Sequence, residues 1–144
     1  MKKEFSKQET GQLVSLVFVM GRHIKEDFQK LARQASCSFI GFQALRYIKE
    51  TEKPSMRDVA SHFMVTPPAA TLLIDGLVEE KLIARVADKR DRRAVRLYVT
   101  LKGNALLERG TRVMTRALAK LFGNLTPAER AQFIALLKKV VKEK

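Results

Sequence analysis

Cysteine occurs once in this chain, at Cys37, so no disulfide framework can form within it. No apolar run approaches the ~20 residues a membrane-spanning helix needs. The charged start, with Lys2, Lys3, Glu4 and Lys7, is not a secretory signal. Histidine occurs only as His23 and His62, on different predicted helices and without a second metal-type ligand at helical spacing, which argues against a metal site. There is no G-x-S-x-G, P-loop, H-E-x-x-H or glycine-rich fingerprint. The carboxylates Asp88 and Asp91 sit in a charged turn that offers nothing to shift their pKa values. Repeats, low-complexity segments and linkers are also missing. These absences speak against an enzyme, a metalloprotein or a membrane protein, and for a single-domain cytoplasmic protein without a cofactor.

Acid is scarce relative to base: 15 Asp and Glu against 28 Lys and Arg give a net charge of +13 over 144 residues. Such an excess favours a polyanionic partner. Its distribution is uneven, with residues 56–80 at −3 and residues 81–103 and 104–144 at +6 each. The basic stretch around 82–100 organises the chain. Ile83, Arg85 and Ala87 alternate with Leu82, Ala84 and Val86; later, Val95, Leu97 and Val99 alternate with Arg96 and Tyr98. Between the two runs lies a fully charged tip with Lys89, Arg90, Asp91, Arg92 and Arg93. This pattern predicts an antiparallel ribbon that projects and is held by the helices around it. An arginine-tipped ribbon suits the negative potential of a DNA minor groove.

The rest of the chain reads as helices. Ser6 to Glu9 has the form of a capping box and opens a helix to about Gln34, with Leu13, Leu16, Val17, Met20, Ile24, Phe28 and Leu31 in one stripe. A second helix spans about 39–51 and buries Phe42, Leu45 and Ile48. Ser55 caps a third, to Phe63. Thr66 caps a fourth, from Pro67 to about Lys81, with proline at the first helical position. Two short helices joined by a tight turn form a helix-turn-helix. After the ribbon, Thr100 caps a fifth helix to about Phe122. Thr126 to Glu129, a further capping box, opens a sixth with Phe133, Leu136, Leu137, Val140 and Val141 on one face.

This order of elements, with the run R-x-x-x-x-x-D-x-R from Arg85 to Arg93 and the A-V-R-L-Y-V-T-L-K-G that ends at Gly103, resembles the multiple-antibiotic-resistance regulator (MarR) family. The resemblance covers nearly the whole chain. It implies a mainly α winged helix-turn-helix at about 36–101, with dimerisation helices at about 6–34 and 102–144. It further implies a homodimeric transcriptional regulator of double-stranded DNA, most often a repressor released by a small aromatic or anionic effector.

Carried over by position, Thr66, Pro67, Pro68, Ala69, Ala70 and Thr71 lie nearest the base edges. Arg93 matches the arginine inserted into the minor groove, and Asp91 the acid that buttresses it. Arg90 and Arg92 flank that acid and reach either the groove or a phosphate, Lys89 joins them among the DNA-binding residues, and Ser55, Arg57 and Lys81 reach the phosphate backbone. Dimerisation falls to Leu13, Leu16, Val17, Phe133, Leu136, Leu137, Val140 and Val141. An effector cleft would draw on Phe18, Met20, Phe28, Phe39, Phe42, Tyr47 and Met114.

The sequence departs from the family pattern in the recognition helix. The early positions that usually hold a long polar side chain hold Pro67 and Leu72, and Gly76 occupies another. Only Thr66 and Thr71 can hydrogen-bond bases, whereas Ala69, Ala70 and the prolines offer apolar contact to thymine methyls. The glycine usual after this helix is replaced by Lys81. Affinity is therefore expected from the ribbon arginines and phosphate contacts, and discrimination largely from groove shape. The competing reading is a winged-helix interaction module that binds a protein, or DNA without strong sequence preference. Cys37, between two serines near Phe39, reads as a small core residue rather than an oxidant sensor.

Overall fold

The computed structural model describes residues 4–88 and 95–141. Six helices and one two-stranded sheet follow in the order α1 (Lys7–Gln34), α2 (Phe39–Glu50), α3 (Met56–Phe63), α4 (Pro67–Glu79), β1 (Ile83–Ala87), β2 (Val95–Val99), α5 (Leu101–Phe122) and α6 (Pro127–Val141). The chain is mainly α with a small β-hairpin, the winged-helix class expected from the sequence. Among the described residues, no helix is long and apolar enough to cross a membrane.

Helix starts lie where the capping residues place them. The Ser6 hydroxyl accepts from the Glu9 N–H (3.1 Å), and the Glu9 carboxylate accepts from the Ser6 N–H (2.8 Å). The Thr126 and Glu129 pair repeats this at α6. At α3 the Ser55 N–H donates to Asp58 (2.7 Å), and the Asp58 N–H donates to the Ser55 hydroxyl (3.3 Å). Donation from the Ser55 hydroxyl (2.7 Å), and then from its N–H, holds the Asp58 carboxyl below its usual range. The start of α2 relies on Ser38, whose hydroxyl accepts from the Gly41 N–H (3.0 Å).

The chain forms two compact units, one comprising residues up to Ile24 and from Met114 onward, the other Lys25–Val113. Both flanking helices lend the second unit side chains: Phe28 and Leu31 of α1 and Leu106 of α5 are buried in it. Its core also takes Phe42, Leu45 and Ile48 of α2, Val59 of α3, Ile74 and Leu77 of α4, and Leu97 of β2. Each such side chain contributes about 1.5–3 kcal/mol when fully buried.

The ribbon is antiparallel, with Ile83 opposite Val99, Arg85 opposite Leu97 and Ala87 opposite Val95. Burial falls along β1, from Ile83, which is covered, to Arg85–Ala87, which are exposed. At its base the ribbon gains a third stretch of backbone that the sequence reading missed. The Leu97 N–H donates to the Pro54 carbonyl (3.1 Å), and Ser55 forms a bridge with Arg96. Arg96 also donates to Asp88 (2.7 Å), just past the end of β1, joining the two strands toward the tip.

The link from α4 to β1 is a tight turn of three residues, 80–82. The Lys81 N–H donates to the Val78 carbonyl (2.8 Å) and the Leu82 N–H to the Leu77 carbonyl (2.9 Å), the two bonds of a Schellman cap. This motif requires a left-handed residue, and Lys81 takes it at φ 58°. The replacement of glycine by lysine therefore leaves the cap intact and adds backbone strain. Just beyond the ribbon, the Thr100 N–H donates to the Leu82 carbonyl (3.0 Å), and the Thr100 hydroxyl accepts from the Gly103 N–H (3.0 Å). A Cβ on Gly103 would strike the Leu82 carbonyl oxygen and the Val99 side chain, so only glycine lets α5 approach this closely.

Opposite effects are expected from two substitutions at this joint. In urea denaturation of the full chain, Lys81→Gly should raise unfolding free energy by about 1 kcal/mol. Gly103→Ala should lower it by about 1–3 kcal/mol. A neutral Gly103→Ala would show that the close approach to Leu82 is not obligatory.

Candidate nucleic-acid interface

The helix-turn-helix presents the first turns of α4. Thr66 caps it, its hydroxyl accepting from the Ala69 N–H (3.4 Å), and Pro67 and Pro68 occupy positions whose N–H groups would lack partners anyway. Thr66, Pro67, Pro68, Ala69 and Thr71 are exposed, as the sequence reading expected of residues near base edges. Ala70 is not: at 1% exposure it packs inward, in the helical row that continues to Ile74 and Leu77. Ala70 is therefore a core residue and leaves the set of candidate contacts. The Thr71 hydroxyl donates to the Pro67 carbonyl (3.0 Å), which leaves it only acceptor capacity toward a base.

The remaining outward positions of α4 are Leu72, Asp75, Gly76 and Glu79, and Leu72 is 76% exposed. Sequence reasoning missed what compensates the acids here. Arg85 of β1 holds Asp75 at 2.6 Å, and Lys102 of α5 lies 3.7 Å from Glu80 while donating to its carbonyl (2.7 Å). With Asp58 committed to the α3 cap, three of the four acids in the net-negative 56–80 segment have local partners. The signal was present in the chain: Asp75 and Arg85 flank the turn at Lys81, and antiparallel elements bring such positions together.

Of the expected phosphate contacts, Arg57 and Lys81 are exposed. The Ser55 hydroxyl donates to Asp58 (2.7 Å) and accepts from the Asp58 N–H as the cap of α3. Lys89, Arg90, Asp91, Arg92 and Arg93 lie outside the described residues. The strands leading to them end at Ala87 and begin again at Val95.

The aromatic residues expected in one effector cleft fall in separate places. Phe28 stands against Phe39 and Phe42, with ring centroids 5.2 and 4.9 Å apart, and Phe28 and Phe42 are buried. A Cβ on Gly110 of α5 would overlap the Phe42 ring, which shows how closely that ring is packed. These two phenylalanines are core, not cleft lining. Tyr47 stacks on His62 with centroids 3.9 Å apart, a contact that accounts for His62 without a metal. Phe18 is exposed and Met114 half-buried, both in the other unit.

A cavity of about 740 Å³ does exist within that other unit. Met20 and Ile24 of α1, Leu118 and Phe122 of α5, and Phe133, Leu137 and Arg130 of α6 are among the residues that line it. Met20 is the one cleft residue named from sequence that belongs to it. The expected dimerisation positions Leu13, Leu16, Val17, Leu136, Leu137, Val140 and Val141 are exposed in the single chain, and Phe133 is half-buried against Phe122.

Cys37 is buried, and burial followed by the nearby Glu80 charge pushes its thiol pKa up to about 11. A thiol so far from ionising is a poor oxidant sensor. Among the described residues, no cluster of three or more His, Cys, Asp or Glu side chains could hold a metal.

A family model described as the MarR family matches residues 41–95, the segment that holds the helix-turn-helix and the first strand. The chain is 31% identical over 103 residues to the HTH-type transcriptional regulator YpoP of Bacillus subtilis, spanning 72% of this chain and 73% of YpoP. It is 25% identical over 142 residues to YkoM of the same organism, spanning 96% and 92% of the two chains. Its fold is similar to that of a mutant MarR from E. coli crystallised with operator DNA, with a TM-score of 0.75 and 22% identity over 95% of this chain and 99% of that one. Since the matched segment coincides with the capped helices and ribbon described above, and the identity to YpoP extends well beyond it, the chain belongs to the MarR family of DNA-binding transcriptional regulators, which are not enzymes.

Proposed function

We propose that this regulator is a cytoplasmic homodimeric repressor that binds a pseudo-palindromic operator and is released by a small aromatic or anionic effector. The observation that carries the reading is the outward-facing start of α4 beside a ribbon whose tip sequence holds Arg90, Arg92 and Arg93. A helix start of this kind enters the major groove while an arginine tip reaches the adjacent minor groove. Half-sites would lie about one helical turn apart, and a dimer spanning them would exclude polymerase.

Support for the dimer comes from the unburied apolar faces of α1 and α6, where Leu16, Val17, Val140 and Val141 are at least 60% exposed. A second copy is the natural cover for faces of this size. Support for the effector comes from the mostly apolar cavity of about 740 Å³, whose lining includes one cation, Arg130, a setting for an aromatic or apolar anion.

A second reading draws on the absence of any Arg, Lys, Asn or Gln on the outer face of α4 and on the exposed Leu72. An interaction module with little sequence preference would look the same at this helix. Binding to the upstream region of the protein's own gene should exceed binding to a scrambled duplex by more than ~10³ at physiological salt. A ratio near one would favour the module. On the specific duplex, Arg93→Ala should weaken binding by about 1–3 kcal/mol; unchanged affinity would remove the ribbon from the interface.

The Asp75–Arg85 pair makes a separate prediction. Arg85→Ala leaves a bare carboxylate facing the phosphates and should reduce affinity several-fold. Adding Asp75→Ala should recover most of that loss. If the double variant binds as poorly as the single one, Arg85 contacts DNA directly.

A further inference from the structure

We infer that the half-site is read in the major groove chiefly through the C5-methyl groups of thymine, packed against an apolar strip on α4 in which Leu72 is the determining side chain. This rests on α4 being the groove-entering helix. Pro68, Leu72 and Gly76 are spaced four residues apart and so share one line along the outer face, with Ala69 beside it. All four are exposed.

Hydrogen-bonded readout has little to work with here. Bidentate recognition of guanine needs arginine or lysine, and that of adenine needs asparagine or glutamine. The outer face of α4 has none of these. Its nearest carboxylate, Asp75, is held by Arg85 at 2.6 Å. The Thr71 hydroxyl spends its proton on the Pro67 carbonyl. A base pair facing this helix therefore meets methyl and methylene groups, and thymine is the base with an apolar group on its major-groove edge.

Gly76 supplies an independent observation. Glycine inside a helix is less stable than alanine. Its φ is not positive, and a Cβ at this position would meet no protein atom within 4 Å. Neither backbone conformation nor internal packing requires glycine there. A bare backbone does let an external surface come close to α4 one turn beyond Leu72, as a helix lying deep in a groove demands.

A·T-rich DNA also narrows the minor groove, which suits arginine, so methyl reading must be separated from shape reading. Deoxyuridine does this, because it removes the thymine methyl and leaves the minor-groove edge unchanged. The full-length chain would first select duplexes from a random-sequence pool at physiological salt. The selected site would then be resynthesised with deoxyuridine in its half-site core.

Thymines are expected in that core, and affinity should fall about fourfold for each contacted thymine replaced, the factor for one buried methyl group. Leu72→Ala, a change at an exposed position that spares the core, should bind the thymine and deoxyuridine sites alike. Leu72→Gln should shift the selected core toward adenine. Equal binding of both sites by the unmodified protein, or a core without thymine, overturns methyl reading and leaves operator recognition standing. Failure of the pool to yield any preferred site overturns both.

Discussion

Both backbone groups of Leu82 are committed, and the presentation of the helix-turn-helix depends on it. Its N–H closes the end of α4 on Leu77, its carbonyl accepts from Thr100 at the start of α5, and its side chain is buried. Lys81 in the left-handed region turns the chain into this position, and Gly103 leaves room for it. The end of the recognition helix, the base of the ribbon and the start of α5 thus meet at one residue. A buried backbone group without a partner costs about as much as a lost hydrogen bond, so these elements hold their mutual geometry as a set. The ribbon, which two strands alone would barely stabilise, is fixed further by Pro54 and by Arg96 against Asp88.

Electrostatics follow from the same arrangement. A segment of net −3 is an unpromising surface to bring against phosphates. Folding places Arg85 on Asp75 and Lys102 near Glu80, and it turns Asp58 into a helix cap. Two of the four acids of this segment are thus paired with cations of residues 81–103, and a third is hydrogen-bonded in a helix cap. Ion pairs at such exposed sites add little stability; their effect is on what the surface repels.

The two kinds of exposed apolar surface differ in extent and company. On α1 and α6 the exposed side chains are large and repeat over several turns, from Leu13 to Val17 and from Ile134 to Val141. On α4 the strip is short, made of small or ring-closed side chains around one leucine, and bordered by Thr71 and Asp75. The first is the surface assigned above to the proposed dimer; the second is the strip proposed to meet base edges.

Helix starts and ribbon limits were legible in the sequence because they rest on local chemistry. A serine or threonine followed three residues later by an acid, proline at a first helical position, and alternation of period two each act over a few residues. The family likeness was legible for a related reason, since ribbon and helix-turn-helix stand in a fixed order. Tertiary contacts decided the rest. That Ala70 faces inward while Leu72 faces out depends on where α4 is pressed against the body. That Phe28 and Phe42 are core, and that Asp75 meets Arg85, are outcomes of long-range packing. Residue type alone carries no record of such neighbours, because the energy that selects them comes from surfaces brought together only when the chain closes.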